Sequence, residues 1–231
     1  MANDESQDSG TPAADLVARL LPSVASLSEE EWARRESELA DLNQRQAAAL
    51  RERDRNRDMA ALLAVGLSHK HLSIIGDGEV RRTPAIEALG KTGATGIWVL
   101  SGGVGCGKTT ATHLWLLPPG QITAPHRVAF VSAHEFSRTS RYHGKVERLV
   151  APDRLVVDDL GAEYMDERGS LLCDLDELLD ARVRAGRATM LTTNLGLEQF
   201  RTRYGARIAS RVREDGKWLP VDGPDLRGRR S

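Results

Sequence analysis

The most informative stretch of this chain of 231 residues is Gly102-Gly103-Val104-Gly105-Cys106-Gly107-Lys108-Thr109. It fits the pattern G-x-x-x-x-G-K-[ST], a loop whose backbone N–H groups surround phosphate groups. Glycines are required because consecutive N–H groups point inward only with unusual backbone angles and without side chains in the way. The apolar run Ile97–Leu100 before the loop predicts a strand, and Thr110–Leu117 after it predicts a helix. The loop therefore has the strand and helix that the motif requires.

The residue types of this loop predict binding of a nucleoside triphosphate with Mg²⁺. We expect Lys108 to reach the β- and γ-phosphates and the Thr109 hydroxyl to ligate Mg²⁺. The following helix directs its positive end at the anion. No Asn-Lys-x-Asp element for reading guanine occurs in the chain, so ATP is favoured over GTP. The predicted nucleotide-binding residues are Gly102, Gly103, Val104, Gly105, Cys106, Gly107, Lys108, Thr109 and Thr110.

Two further segments supply the polar groups that hydrolysis needs. In Leu155-Val156-Val157-Asp158-Asp159, a buried strand ends in two carboxylates. We expect Asp158 to hold Mg²⁺ through water and Asp159 to orient or deprotonate the attacking water. Another apolar run ends in Thr192-Thr193-Asn194, where the Asn194 amide could contact the γ-phosphate or the lytic water. Thr-Thr-Asn also suits a cap for a helix over 197–204, and both roles can coexist.

The rest of the middle alternates between strand and helix patterns. Short apolar runs at 128–131, 155–157 and 188–191 predict strands, with another at 217–221, and the apolar face from Leu171 to Val183 predicts a helix. Thr83-Pro84 marks the start of a helix that runs to about Gly90. This alternation predicts an α/β fold, a parallel sheet flanked by helices.

The charges are distributed unevenly, although the net charge is −1. Residues 1–41 hold 10 acids and 3 bases, whereas residues 201–231 hold 4 acids and 9 bases. We expect a disordered leader over 1–27, a helical appendage over 28–66 and a nucleotide-binding domain over 67–231. The appendage is either a solvated helix packed by one face or a helix that docks on a partner. With no long apolar run, no signal-like start and only two cysteines, we expect a soluble cytoplasmic protein without membrane contact.

The residues of this chain resemble the AAA+ ATPases of the DnaC/DnaI helicase-loader and IstB transposition-helper family. The resemblance covers roughly residues 60–231 and includes the phosphate loop, Asp-Asp-Leu-Gly-x-Glu from Asp158 to Glu163, the segment 192–195, and Gly-x-Arg-(x)₃-Arg from Gly205 to Arg211. It implies an arginine finger at Arg211 that reaches the γ-phosphate of an adjoining subunit, with Arg207 as a neighbouring contact. It also implies that Asn194 is the first sensor and that Arg227 is a terminal sensing arginine.

The sequence differs from that of common ATPases in two ways. The acid after Asp158 is Asp159, shorter than the usual Glu, so Glu163 is an alternative second acid. About 37 residues follow Asn194, which leaves no room for a full helical lid. A half-open nucleotide site needs a neighbouring subunit, so we expect an ATP-dependent homo-oligomer.

The resemblance implies DNA and a protein as partners. A replicative helicase is the expected partner, a transposase is the alternative, and a P-loop kinase for a small metabolite is disfavoured because no acceptor pocket is recognisable. DNA, single-stranded or duplex, would contact a basic segment after the second strand; the alternative is that these basic groups lie on a solvated helix. Its candidate residues are Arg138, Arg141, His143 and Lys145, with Phe136 and Tyr142 for stacking on bases.

Overall fold

A computed structural model describes residues 28–78, 80–117, 125–139, 145–165 and 169–227. The predicted leader over 1–27 lies outside these residues. The chain divides into two units, residues 1–57 and 58–231. In the first unit, residues 29–57 belong to a single helix, α1 (Glu29–Ala64), which continues into the second unit. Among the described residues, no helix is both long and apolar enough to cross a bilayer.

The second unit is built on a parallel sheet of five strands. Its elements follow in the order α2 (His69–Gly76), α3 (Pro84–Leu89), β1 (Gly96–Gly102), α4 (Lys108–Leu116), β2 (Val128–Ser132), α5 (Ala133–Thr139), α6 (Lys145–Val150), β3 (Arg154–Leu160), α7 (Ser170–Arg184), β4 (Ala188–Thr193), α8 (Leu197–Asp215) and β5 (Gly216–Val221). The strand order across the sheet is β2-β3-β4-β1-β5. All four neighbouring pairs are parallel. The predicted fold class, a phosphate-loop sheet flanked by helices, is confirmed.

Alternate residues of each strand supply two apolar layers, because successive side chains point to opposite faces. On one face Val99, Val157 and Leu191 pack against α7 and α8. On the other face Leu100 and Met190 pack against α4, α2 and α3. Every residue of the central strand β4 is buried, as expected for a parallel strand covered on both faces.

Local sequence signals account for several helix ends. The Thr83 hydroxyl accepts a hydrogen bond from Ile86 N at 3.3 Å, and Pro84 occupies the first turn, which confirms the predicted start of α3. Helix α8 extends past the predicted end at Tyr204 to Asp215. It does so across a break at Gly205, whose φ of 86° is left-handed. The arginine-rich segment after Gly205 is therefore a second half of α8.

Candidate nucleotide site

The phosphate loop lies between β1 and α4, at the carboxyl edge of the sheet. Gly105 and Gly107 have φ angles of 78° and 91°, left-handed values that glycine adopts without steric cost. Gly102 lies so close to the carbonyl of Val221 that a Cβ there would collide with it. These glycines are therefore required by the backbone path of the loop, as the sequence predicts.

Lys108 is almost completely buried, and its charge has only neutral partners among the described residues. Its Nζ donates to the carbonyl oxygens of Gly102 and Gly103, both at 2.7 Å, and to Asn194 Oδ1 at 2.8 Å. Cys106 Sγ lies 3.7 Å from the same nitrogen. A buried ammonium without a carboxylate partner suits an anion as its counter-charge.

Thr109 and Asp158 meet across the loop, as predicted for a Mg²⁺ site. The Thr109 hydroxyl lies 3.0 Å from Asp158 Oδ2. Burial raises the pKa of Asp158, and hydrogen bonds from Thr192 and Thr109 oppose that rise. A divalent cation would stabilise the ionised carboxylate further, and a hydroxyl beside a carboxylate is the oxygen donor set that Mg²⁺ prefers.

Asp159 stands apart by its backbone conformation. Its φ is 63°, and it is the one residue other than glycine with positive φ in the described part of the chain. The pairing of β3 with β4 shifts register between Val157 and Leu160, so a bulge turns Asp159 out of the ladder. Its side chain is exposed, whereas Asp158 is 7% exposed. The two acids thus have the different surroundings that different roles require.

Asn194 and Thr192 connect the cluster. Asn194 Nδ2 donates to Asp159 Oδ1 at 3.1 Å, while Asn194 Oδ1 accepts from Lys108. The Thr192 hydroxyl donates to Asp158 Oδ1 at 2.7 Å and accepts from the Asp159 N–H at 2.8 Å. Hydrogen bonds therefore join all five predicted residues, Lys108, Thr109, Asp158, Asp159 and Asn194. Sequence reasoning missed Thr192, although its position two residues before Asn194, on a buried strand beside β3, was the available signal.

Glu163, the alternative second acid, is placed differently. Its side chain is fully buried, and Oε1 accepts from Tyr204 Oη at 2.6 Å and from Arg203. Oε2 accepts from Gly161 N at 2.7 Å. Because both oxygens are engaged and shielded, the geometry favours Asp159 as the acid that faces a water molecule.

The two arginines implied by the family resemblance lie in different surroundings. Arg211 Nη1 donates to Asp180 Oδ1 at 2.6 Å, and its side chain is 16% exposed. Arg207 is 80% exposed and pairs with Asp176 at 2.8 Å. Among the described residues, neither arginine forms an ion pair with an acid of the cluster around Lys108. Their predicted action on an adjoining subunit stays a prediction.

Arg227 lies in a tail that contacts the phosphate loop. Leu226 N donates to the Gly105 carbonyl oxygen at 3.0 Å, and Arg227 N donates to Asp225 Oδ1 at 2.9 Å. The side chain of Arg227 is exposed. The fold therefore brings the predicted sensing arginine beside the loop, although its guanidinium makes no ion pair among the described residues.

The predicted DNA-contacting segment is described only in part. Arg138 is exposed, as predicted. Phe136 is 2% exposed and belongs to the apolar core, so the expectation that it stacks on bases is wrong. Its position follows from the first turns of α5, which place one face of that helix on the sheet. Arg141, Tyr142 and His143 lie outside the described residues, as does the side chain of Lys145.

Comparisons with known proteins give similarity of fold. No protein-family model matches the chain, and no curated protein is similar to it in sequence. Domain III of the replication initiation protein DnaA from Thermotoga maritima is 18% identical, with a TM-score of 0.47, over 61% of this chain and 60% of that one. AMPPCP-bound DnaA from Aquifex aeolicus is 17% identical, with a TM-score of 0.48, over 60% and 44%. The DnaC helicase loader is 16% identical, with a TM-score of 0.47, over 60% and 86%.

This chain therefore covers less than two thirds of the length of the first two structures. At such identities the similarity concerns the path of the backbone, and with TM-scores below 0.5 it carries no functional argument.

Proposed function

We propose that this protein binds ATP with Mg²⁺ and hydrolyses it to ADP and phosphate. One observation carries the proposal: Lys108, Asn194 and Asp159 on one side and Thr109 and Asp158 on the other are joined by hydrogen bonds of the Thr192 hydroxyl, to the Asp158 carboxylate and from the Asp159 N–H, into one cluster beside the phosphate loop. These are the residue types that phosphoryl transfer uses to bind phosphate, hold a metal ion and position water.

The residues present fit both proposed ligands. Lys108 is buried without a carboxylate partner among the described residues, so a triphosphate would supply its counter-charge. Thr109 and Asp158 would hold Mg²⁺, the former directly and the latter through water. When bound, Mg²⁺ would supply positive charge that offsets the negative charge developing during transfer.

Asp159 and Asn194 have the geometry for handling the attacking water. The Asp159 carboxylate is exposed and accepts a hydrogen bond from the Asn194 amide, which aims one of its oxygens. The other lone pairs of the carboxylate remain available to orient a water molecule and accept its proton. Because Asn194 also binds Lys108, a phosphate that draws Lys108 away would change the contact between Asn194 and Asp159. Asn194 therefore acts as the sensor of the γ-phosphate.

The remaining roles follow the family resemblance. Arg211 would reach the γ-phosphate on an adjoining subunit, and Arg227, beside Gly105, would sense the nucleotide in its own subunit. A planar guanidinium distributes charge over a phosphoryl transition state and contributes orders of magnitude in rate. The proposed active form is an ATP-dependent homo-oligomer.

The more specific proposal is that ATP binding controls the loading of a replicative helicase. It is supported by the motifs shared with helicase loaders, Asp-Asp-Leu-Gly-x-Glu and Gly-x-Arg-(x)₃-Arg. Helix α1 would dock on the helicase. Over residues 40–57 its described side chains are exposed, and among them Leu42 and Leu50 are 50% and 60% exposed. The second candidate, a transposition helper that engages a transposase on DNA, shares the same motifs.

Substitutions in the cluster test the ATPase proposal. Lys108→Ala removes the buried ammonium and should reduce binding of a fluorescent ATP analogue and turnover by about 100-fold or more. Asp159→Asn should keep analogue binding within a few-fold and lower turnover by about 100-fold. Lys91→Ala, which removes an exposed lysine of the same unit, is the matched control. Unchanged turnover in Lys108→Ala would show that the site is assigned incorrectly.

A binding experiment with the full chain separates the two partner classes. The protein, with ATP, is mixed with a purified hexameric helicase or with a transposase, and complex formation is measured by light scattering. Leu42→Asp with Leu50→Asp should abolish helicase binding while leaving ATP binding intact, and Gln44→Asp, on the opposite side of the same helix, is the control. Binding of the transposase alone would favour the second candidate. Helicase binding by the double variant would contradict docking through α1.

A further inference from the structure

Glu163 is a buried carboxylate that neither binds the predicted ligands nor contacts the cluster directly. Its side chain is 0% exposed, in the loop that follows Asp158 and Asp159. Burial of a carboxylate is costly unless hydrogen bonds and a cation compensate it. Its partners come from two separate parts of the molecule, which makes it a connection between them.

The first set of contacts holds the turn that carries Asp159. Glu163 Oε2 accepts from Gly161 N at 2.7 Å, and Ala162 N donates to the Asp159 carbonyl oxygen at 3.3 Å. Asp159 and Gly161 have φ angles of 63° and 110°. An aspartate in the left-handed region is strained, so surrounding contacts must hold it there.

The second set of contacts reaches helix α8 just before its break. Tyr204 Oη donates to Glu163 Oε1 at 2.6 Å, and Arg203 Nη2 donates both to that oxygen, at 3.1 Å, and to the Glu163 carbonyl oxygen, at 2.6 Å. The next residue is Gly205, where α8 changes direction. Arg207 and Arg211 belong to the half of α8 that follows.

The protonation states agree with a permanent connection. Burial raises the pKa of Tyr204, and its bond to Glu163 raises it further, so the phenol stays a donor. Burial lowers the pKa of Arg203, but its contacts with Tyr204 and Glu163 outweigh that effect and the pKa lies above its ordinary value. Arg203 therefore stays charged and compensates the carboxylate.

We propose that Glu163 is a positioning residue that joins the turn of Asp159 to the arginine-bearing half of α8. On one side it maintains the left-handed turn that aims Asp159 at water. On the other it sets the direction in which α8 leaves Gly205 and thus the position of Arg211. The water-activating acid and the arginine offered to an adjoining subunit are placed by the same carboxylate. This inference rests on the proposed ATPase function. It adds a residue that couples the position of the water-activating acid to that of the arginine.

Glu163→Gln tests the coupling because it keeps the size of the side chain and removes the charge. We expect kcat for ATP hydrolysis to fall by about 10- to 100-fold, the range found when a residue that orients a functional group without contacting the substrate is replaced. Affinity for a fluorescent ATP analogue should stay within about threefold, because Lys108 and Thr109 are untouched. Tyr204→Phe removes one of the hydrogen bonds and should lower kcat by about 3- to 10-fold. Glu198→Gln, which changes an exposed glutamate of helix α8, is the control.

A separate comparison distinguishes positioning from general destabilisation. Arg182→Lys disturbs a buried network at the other end of the sheet and should lower the melting temperature without changing kcat of the folded protein. If Glu163→Gln and Tyr204→Phe leave kcat unchanged while Lys108→Ala abolishes turnover, the coupling proposal is wrong and the ATPase proposal stands. If Lys108→Ala leaves turnover unchanged, the proposed function itself fails. If Glu163→Gln does not fold, the kcat of Tyr204→Phe decides.

Discussion

Asp176 and Asp180 hold Arg211 within its own chain. We predict that replacing these two acids allows Arg211 to act on an adjoining subunit at lower protein concentration. Arg211 lies 2.6 Å from Asp180 and 3.4 Å from Asp176, with 16% of its side chain exposed. If Arg211 acts on an adjoining subunit, as proposed, it must first leave these two carboxylates. The double variant Asp176→Asn with Asp180→Asn removes their charge and preserves their shape.

The exposure of the pair sets the magnitude. Exposed ion pairs contribute about 0.2–1 kcal/mol, and hydrogen bonds to charged groups in buried sites contribute about 1.5–3 kcal/mol. A pair that is mostly but not fully shielded should lie between them, at about 1–2 kcal/mol. Since 1.4 kcal/mol is tenfold in an equilibrium constant, the concentration giving half-maximal ATPase activity should fall by roughly 5- to 30-fold.

The assay is specific ATPase activity measured over a wide range of protein concentration. Glu177→Gln, an exposed acid on the same helix, should leave the curve unchanged. Arg211→Ala should remove the concentration-dependent activity, which establishes that the curve reports this arginine. An unchanged curve for the double variant would show that the carboxylates do not retain Arg211. A shift to higher concentration would show that they present it to the neighbour instead.

Three further predictions concern stability. Arg182 is fully buried and donates to several carbonyl oxygens, so Arg182→Met leaves these buried oxygens unpaired and should lower the free energy of unfolding by about 3–5 kcal/mol in urea titrations, and a loss below 1 kcal/mol would contradict this. Burial lowers the pKa of His71 from 6.5 to about 4, so the unfolded chain takes up this proton first. Stability should therefore fall by about 1–3 kcal/mol from pH 6.5 to pH 4, and His71→Gln, but not His69→Gln, should reduce that fall. Gly105→Ala would push a methyl group into the Asp225 carboxylate at a left-handed position and should lower the melting temperature, whereas an unchanged value would contradict both the clash and the left-handed strain.

Much of the fold was readable from local patterns. Each predicted strand is observed, because a parallel strand covered on both faces needs a continuous apolar run, as at Leu155–Val157. The phosphate loop was readable because glycine, lysine and threonine are needed at fixed spacing along one continuous segment. The second half of α8 was not predicted, since Gly205 interrupts the helix pattern with a left-handed residue.

The candidate site, like the fold, was predictable from the sequence only in part. The sequence by itself determined which residue types form the proposed site for phosphates, metal ion and water, because Lys108, Thr109 and the two aspartates occur in contiguous motifs. Only the tertiary structure distinguishes Asp159 from Glu163 and favours Asp159 as the acid that faces water, because the difference depends on burial and on partners about 40 residues away on α8. The contacts of Thr192 with Asp158 and of Asp180 with Arg211 are found only there too, since hydrogen bonds and ion pairs between separate elements leave no pattern along the chain.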